Sequence, residues 1–110
     1  MFVVIRFRVP EAAQVEFGER LAAAVEVLSR QKGFVAARTG RNVDDPELLA
    51  LSMEWVNVGS YRRALSPYEV KLVAVPLLSQ AIDEPSAYEL VGDDELNQAL
   101  PRVLGGREAE

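Results

Sequence analysis

Hydrophobic and polar positions alternate at the start of the chain, and the spacing then changes to that of a helix. Residues 2–9 are mostly aromatic or β-branched, with Val3 and Ile5 on one face, so the pattern predicts a strand. Pro10 ends this strand because proline has no N–H to donate to a ladder. Across residues 11–31, apolar side chains recur at every third or fourth position. This spacing indicates an amphipathic helix, which Gly33 caps.

The middle of the chain predicts a hairpin. Residues 34–42 form a second, more polar strand, and residues 42–46 have the Asn, Asp and Pro composition of a turn. Residues 48–57 return as a third strand with apolar residues on both faces, so both of its sides are expected to be covered. This strand carries Glu54 and Trp55, the single tryptophan of the chain.

The second half of the chain predicts helices followed by a strand. Residues 58–65 form a short helix, and a second piece extends to residue 81. Pro76 lies inside that piece, where proline disrupts a helix, so we expect a bend or break near residues 73–76. Residues 86–91 form the fourth strand. The order β-α-β-β-α-β predicts an α+β, ferredoxin-like fold, with the helices on one face of an antiparallel sheet.

The length of 110 residues indicates one structural domain. We place it at residues 1–92 and expect an acidic, partly ordered C-terminal tail at 93–110, with a turn at 94–100. Strands one and three carry apolar residues on both sides, and one layer of helices covers only one sheet face. The sequence therefore predicts a homodimer whose sheets pack face to face.

Composition excludes several classes of chemistry. The chain has neither cysteine nor histidine, which removes disulfides, thiolates and the commonest ligand for metals and haem. The net charge of −5, with dispersed basic residues, argues against nucleic acid as a partner. Acidic residues at 44–47 and 93–95 lack the spacing of a metal loop. No apolar run approaches the ~20 residues of a membrane span, and no signal peptide is recognisable, so we expect a cytoplasmic protein without membrane contact.

Several short motifs resemble those of one family, the antibiotic biosynthesis monooxygenases. The resemblance covers residues 1–92, and its motifs are Gly33-Phe34 entering strand two, Glu54 to Asn57 around Trp55, Tyr61 and Ala64 in the next helix, and residues 85–89 opening strand four. It implies a dimeric α+β barrel with a pocket between sheet and helices in each subunit. Family members that need no cofactor oxygenate electron-rich aromatic substrates such as anthrones or quinols, and the protein binds the ring, favours its anion and excludes water.

The resemblance carries over to individual residues only in part. It places Trp55 as the pocket tryptophan and Tyr61 as an aromatic facing the same cavity. Haem-degrading members have a histidine that would fall near Ala64, and some oxygenases have an asparagine that would fall near Leu51. An inward asparagine of strand one would fall at Ile5. None of the three is present, so haem binding is disfavoured and the catalytic set is incomplete.

Each candidate residue also has a structural interpretation. Trp55 either stacks a planar ligand or packs in the core, and Tyr61 either hydrogen-bonds a phenol or packs. Asn57 either orients a ligand carbonyl or caps the following helix. Arg6 and the other strand arginines either stabilise an oxyanion at the pocket mouth or oppose aggregation at sheet edges.

The leading functional hypothesis is a cofactor-independent monooxygenase-like protein acting on a small aromatic or quinol, with Trp55, Tyr61 and Asn57 as site residues and no metal. The alternative is a dimeric module that binds a small aromatic ligand without catalysis. A third possibility is a structural dimer with a filled pocket. An oxygenase should place at least two hydrogen-bond donors beside Trp55, whereas a pocket lined by Ile5, Leu51, Met53 and other apolar residues would only sequester a ligand.

Overall fold

The computed structural model describes residues 1–92, which form a four-stranded antiparallel sheet with helices on one face. Within residues 1–92, every helix is too short or too polar to span a bilayer. A 3-10 turn at Glu11–Ala13 precedes the first helix. The strands are β1 Phe2–Arg8, β2 Phe34–Arg41, β3 Leu48–Trp55 and β4 Ala87–Tyr88; the helices are α1 Gln14–Ser29, α2 Val58–Ala64, α3 Tyr68–Val73 and α4 Val75–Leu78.

The sheet confirms the predicted fold class. The strand order is β2-β3-β1-β4, and neighbouring strands are antiparallel. In the central pair, Val3 lies opposite Met53 and Ile5 opposite Leu51, so the buried residues of β1 and β3 share one face. This is the ferredoxin-like α+β arrangement.

The core lies between that sheet face and the helices. Alternation in β1 buries Val3, Ile5 and Phe7, while Phe2 and Arg8 on the opposite face stay exposed. The helices contribute the other side of the core, and their buried residues are Phe17, Leu21, Ala24, Val27, Leu28, Ala64, Val70, Ala74 and Leu77. Full burial of one such aliphatic or aromatic side chain contributes about 1.5–3 kcal/mol.

The predicted break at Pro76 is confirmed and lies between α3 and α4. Pro76 occupies the first turn of α4, where its missing N–H leaves no helical bond unmade. Ala74 connects the two helices, donating its N–H to Val70 and accepting one from Leu78. The chain therefore bends here while keeping Ala74 and Leu77 buried.

The fourth strand is shorter than the predicted 86–91. Its ladder holds only two pairs, Phe2 with Tyr88 and Val3 with Ala87. Tyr88 already lies opposite Phe2, the first residue of β1, so the residues after it pass the end of the strand. Leu90 is accordingly exposed. The predicted tail at 93–110, with its turn at 94–100, lies outside the described residues.

Candidate functional site

A cavity of about 450 Å³ opens along the edge of β1, between the sheet, α2 and α4. Its walls come from β1, from the two helices and from the segment that leads into β4. They are formed by Val4, Ile5, Arg6, Tyr61, Leu65, Val75, Leu78, Ser79, Ala81, Ile82, Asp83, Glu84 and Ser86. The volume falls within the range of pockets that bind small organic ligands.

Tyr61 is the aromatic residue of this cavity lining. It lies on α2, which places its ring against Trp55 at a centroid separation of 5.7 Å. Burial raises the pKa of the Tyr61 phenol above its ordinary value of about 10. The hydroxyl makes no hydrogen bond to any described residue. The phenol is therefore protonated at neutral pH and available as a donor toward a ligand.

Trp55 does not line the cavity but lies behind Tyr61. Only 1% of its surface is exposed, and its ring meets Phe34 edge-on at a centroid distance of 5.3 Å. Its indole Nε1–H has no acceptor within residues 1–92. Buried polar groups are nearly always paired, so this donor is unusual for a purely structural tryptophan. The ring of Tyr61 contacts Trp55 and also lines the cavity, so Tyr61 connects the two.

Asn57 acts as the N-cap of α2. Its Oδ1 accepts the backbone N–H of Ser60 at 2.8 Å, which satisfies one of the unpaired donors at the helix start. The side chain is exposed and does not contribute to the cavity wall. By holding the first turn of α2, Asn57 fixes where Tyr61 stands.

The outer wall of the cavity is an interrupted edge strand. Ile82 donates its N–H to Arg6 at 2.8 Å, and Val4 donates to Ser86 at 2.8 Å. Residues 83–85 bulge outward between these two bonds, so three residues of this segment lie opposite a single residue of β1. Asp83 and Glu84 of this bulge line the cavity.

A bidentate ion pair joins Arg6 of β1 to Glu84 of that bulge. Arg6 donates through Nε and Nη2 to the two carboxylate oxygens of Glu84, each at 2.7 Å. The Arg6 guanidinium holds the pKa of the Glu84 carboxyl below its usual range, and Glu84 in turn raises the pKa of Arg6. Asp83 lines the same mouth and forms no ion pair with the described residues.

The apolar residues predicted to line the pocket fall into two groups. Ile5 lines the cavity, whereas Leu51 and Met53 are fully buried in the core next to Trp55. Ala64, near which the family resemblance would place a histidine in haem-degrading members, is also buried.

Sequence reasoning missed the wall at residues 79–86. The opposite charges of Arg6 and Glu84 are visible in the sequence, but Glu84 precedes the predicted fourth strand at 86–91, so the pattern did not indicate that the two side chains meet.

Comparison with known proteins supports the architecture. A family model described as antibiotic biosynthesis monooxygenase matches residues 1–71. The solved structure of SnoaB, a cofactor-independent oxygenase from Streptomyces nogalater, superposes with a TM-score of 0.65 at 25% identity, covering 84% of this chain and 96% of that one. A conserved protein from Methanosarcina mazei Go1 gives a TM-score of 0.64 at 23% identity, covering 78% and 84%. No curated protein matches the sequence.

These matches agree with the β-α-β-β-α-β topology, and at family level they make the protein monooxygenase-like. The family match includes Trp55, Asn57 and Tyr61, and it ends before the cavity wall that carries Asp83 and Glu84. The chain therefore belongs to the antibiotic biosynthesis monooxygenase family.

Proposed function

We propose that this protein is a cofactor-independent monooxygenase-like protein acting on a small aromatic or quinol that binds in the cavity beside Tyr61. The observation that carries the proposal is a free donor at the cavity wall: the protonated hydroxyl of Tyr61 lies there without a hydrogen-bond partner among residues 1–92. The chemistry develops negative charge on a substrate oxygen, which such a donor stabilises. The indole N–H of Trp55 is also unpaired, but it is enclosed behind Tyr61 and is not a second donor in the cavity lining.

The reaction in such a cavity requires little covalent chemistry from the protein. An anthrone-type substrate loses a proton to solvent, and its anion transfers one electron to dioxygen, which gives a substrate radical and superoxide. These two recombine to a peroxide anion, which takes a proton back and eliminates water. The reacting CH2 becomes a carbonyl, so one oxygen atom enters the product and the other leaves as water. Tyr61 donates a hydrogen bond to the substrate oxyanion, while Ile5, Leu65 and Leu78 surround the ring and exclude water.

Oxygen consumption tests this proposal directly. The metal-free protein is supplied with a panel of anthrones and dihydroxy-aromatics, and uptake is compared for the native protein, Tyr61→Phe and Trp55→Phe. Tyr68→Phe is the matched control, because Tyr68 is 78% exposed and lies outside the cavity lining. Uptake that falls about tenfold or more in Tyr61→Phe and stays unchanged in Tyr68→Phe supports an oxygenase. Uptake equal in every variant contradicts the proposed site.

A second candidate is a binding module without catalysis. It is favoured by the charges of the described cavity lining, where the single cation, Arg6, is paired and Asp83 adds a further carboxylate. These charges do not promote formation of a substrate anion. Absence of oxygen uptake with every substrate, together with quenching of Trp55 fluorescence by a planar aromatic, would identify this function. Absence of both would indicate a filled, structural cavity.

We also propose that the protein acts as a homodimer through the sheet face opposite the helices. Phe2 and Tyr88 stack on that face at 5.2 Å, and both are more than a third exposed. Arg38 and Glu54 lie on the same face, and neither forms an ion pair within residues 1–92. A twofold axis would let Arg38 of each copy pair with Glu54 of the other copy. Sedimentation should give a dimer at micromolar concentration, and a stable monomer would contradict it.

A further inference from the structure

The mouth of the cavity carries three charged side chains, and their pairing is unequal. Arg6 and Glu84 form the bidentate pair, with both guanidinium donors and both carboxylate oxygens at 2.7 Å. Asp83 lies beside them without an ion pair in the described chain. The described lining contains no cation other than Arg6. The mouth, as far as residues 1–92 form it, therefore has one net negative charge and no free positive group.

The Arg6–Glu84 pair differs from a second ion pair on the same strand. Arg8 and Asp45 pair at the hairpin turn through one contact of 3.0 Å. Asp45 also accepts the backbone N–H of Glu47, so its carboxylate helps to build the turn. Among the described residues, Glu84 accepts side-chain hydrogen bonds only from Arg6, and the backbone around it is already held by bonds to β1 on both sides. The carboxylate of Glu84 thus acts on Arg6 rather than on the backbone.

An arginine at the mouth of an aromatic pocket would ordinarily recognise an acidic ligand. A free guanidinium binds a carboxylate bidentately with a strong charge-assisted bond. In this protein Glu84 already occupies that geometry. An incoming carboxylate would have to displace Glu84 and would also meet the unpaired charge of Asp83, and close like charges disfavour binding.

We propose that Glu84 is a specificity-determining residue: it occupies Arg6 and so restricts the cavity to uncharged aromatic ligands, excluding those that carry a carboxylate. This rests on the proposed function only in needing the cavity to bind a small aromatic. It deepens that function by naming the substrate class as neutral phenols and quinols. Glu84 and Asp83 lie beyond the segment matched by the family model.

A matched pair of probes tests the proposal without any variant. Binding of 2-naphthol, uncharged at neutral pH, and of 2-naphthoate, ionised at neutral pH, is measured by titration calorimetry on the full chain. The native protein is expected to bind 2-naphthol about tenfold or more tightly than 2-naphthoate, a difference of about 1.4 kcal/mol. Equal or tighter binding of 2-naphthoate overturns the inference and leaves the proposed function standing. Failure of both probes to bind overturns the inference and the aromatic-binding function together.

Variants then locate the cause. Glu84→Gln should raise the affinity for 2-naphthoate about tenfold by releasing Arg6, with little change for 2-naphthol. Asp45→Asn is the control. It removes the carboxylate partner of Arg8, which lies on the same strand as Arg6, and it changes the net charge by the same amount. Asp45 lies outside the cavity lining. Asp45→Asn should leave both affinities unchanged, and an equal gain in both variants overturns the assignment.

The double variant Arg6→Gln with Glu84→Gln separates release of Arg6 from loss of a repelling carboxylate. It replaces the ion pair with two neutral side chains and should lack the gain for 2-naphthoate. A gain as large as in the single variant would show that Arg6 takes no part, which overturns the mechanism. If Glu84→Gln fails to fold, two measurements still decide. The preference of the native protein for 2-naphthol or 2-naphthoate decides the ligand class. Tighter binding of 2-naphthoate by the double variant than by the native protein excludes a role for Arg6.

Discussion

The two edges of the sheet differ in how completely the chain closes them. At one edge, β2 runs beside β3 for its whole length, joined by a short hairpin turn and interrupted only by a bulge between Phe34 and Ala36. At the other edge, β4 contributes two ladder pairs, and a three-residue bulge precedes it. At the first edge, β2 is mostly exposed and the core residues Leu51, Met53 and Trp55 belong to β3 beside it, whereas the second edge borders a cavity of about 450 Å³ on the helix side of the sheet.

The cavity beside Tyr61 therefore lies where strand pairing is incomplete. Trp55 and Tyr61 contact each other, yet Trp55 belongs to the closed region and Tyr61 to the open one. Asn57, outside the cavity wall, serves the backbone at the start of α2. At the open edge, Arg6 and Glu84 pair with each other, and both line the cavity.

The largest expected effect is on the closed region, from Trp55→Ala. Deleting this fully buried ring leaves Phe34 and Tyr61 without their partner and should lower the free energy of unfolding by about 3–5 kcal/mol. Urea denaturation measures it, with Tyr68→Ala as the exposed control expected within about 0.5 kcal/mol of native. Equal losses in both variants would mean that Trp55 is not a core residue.

The second largest effect is expected from Gly33→Ala, which tests the turn of the chain before β2. Gly33 has φ of +94°, and a Cβ there would overlap the side chain of Ser60. The backbone strain and the overlap together should cost about 2–4 kcal/mol in urea denaturation. Gly18→Ala is the control: Gly18 lies on α1, and no other side chain stands within 4 Å of the position its Cβ would take. Alanine there should stabilise the protein by up to about 1 kcal/mol. A change in the free energy of unfolding that has the same sign in both variants would contradict this prediction.

Asn57→Ala should have a smaller effect that separates capping from ligand binding. Loss of the bond to Ser60 should cost about 1 kcal/mol of unfolding free energy, and Asn57→Asp should retain most of it. Affinity for 2-naphthol should stay within about twofold of native in both variants, because Asn57 lies outside the described cavity wall. A tenfold loss of affinity in the alanine variant at unchanged stability would instead place Asn57 in the site.

The smallest effect at neutral pH is expected from Tyr61→Phe, which changes the open region alone. The hydroxyl has no partner among residues 1–92, so its removal should change the free energy of unfolding by less than about 1 kcal/mol. Because burial raises the pKa of this phenol, its contribution to stability is fully present below the ordinary pKa of about 10. That contribution is lost as pH rises through the higher value in the folded protein.

Denaturation at neutral and alkaline pH checks the sign. The native protein should lose more stability than Tyr61→Phe on going to alkaline pH, and Tyr68→Phe should behave like the native protein. Equal alkaline losses in native protein and Tyr61→Phe would show that Tyr61 is not buried in the way described.

Much of the fold could be predicted from the sequence because local patterns carry it. The alternation in β1, the helical spacing in α1 and the position of Pro76 each act over a few residues, and each reappears in the structure. The candidate site could be predicted from the sequence only in part. Trp55 and Tyr61 are neighbours as expected, while the division between core and cavity followed from packing that no local pattern records.

Periodicity, short motifs and composition are properties of the chain alone, and they were enough to predict the α+β topology, the family and the absence of histidine and cysteine chemistry. Three features needed the folded molecule: Asn57 caps α2, Trp55 is enclosed, and Glu84 meets Arg6 across 78 residues. For the last of these, the reason is that Glu84 lies outside β4, and no local pattern records where a two-residue edge strand begins or in which register it pairs. Register across an edge strand depends on where the chain leaves the ladder, and a shift of one residue there changes which side chains line the cavity.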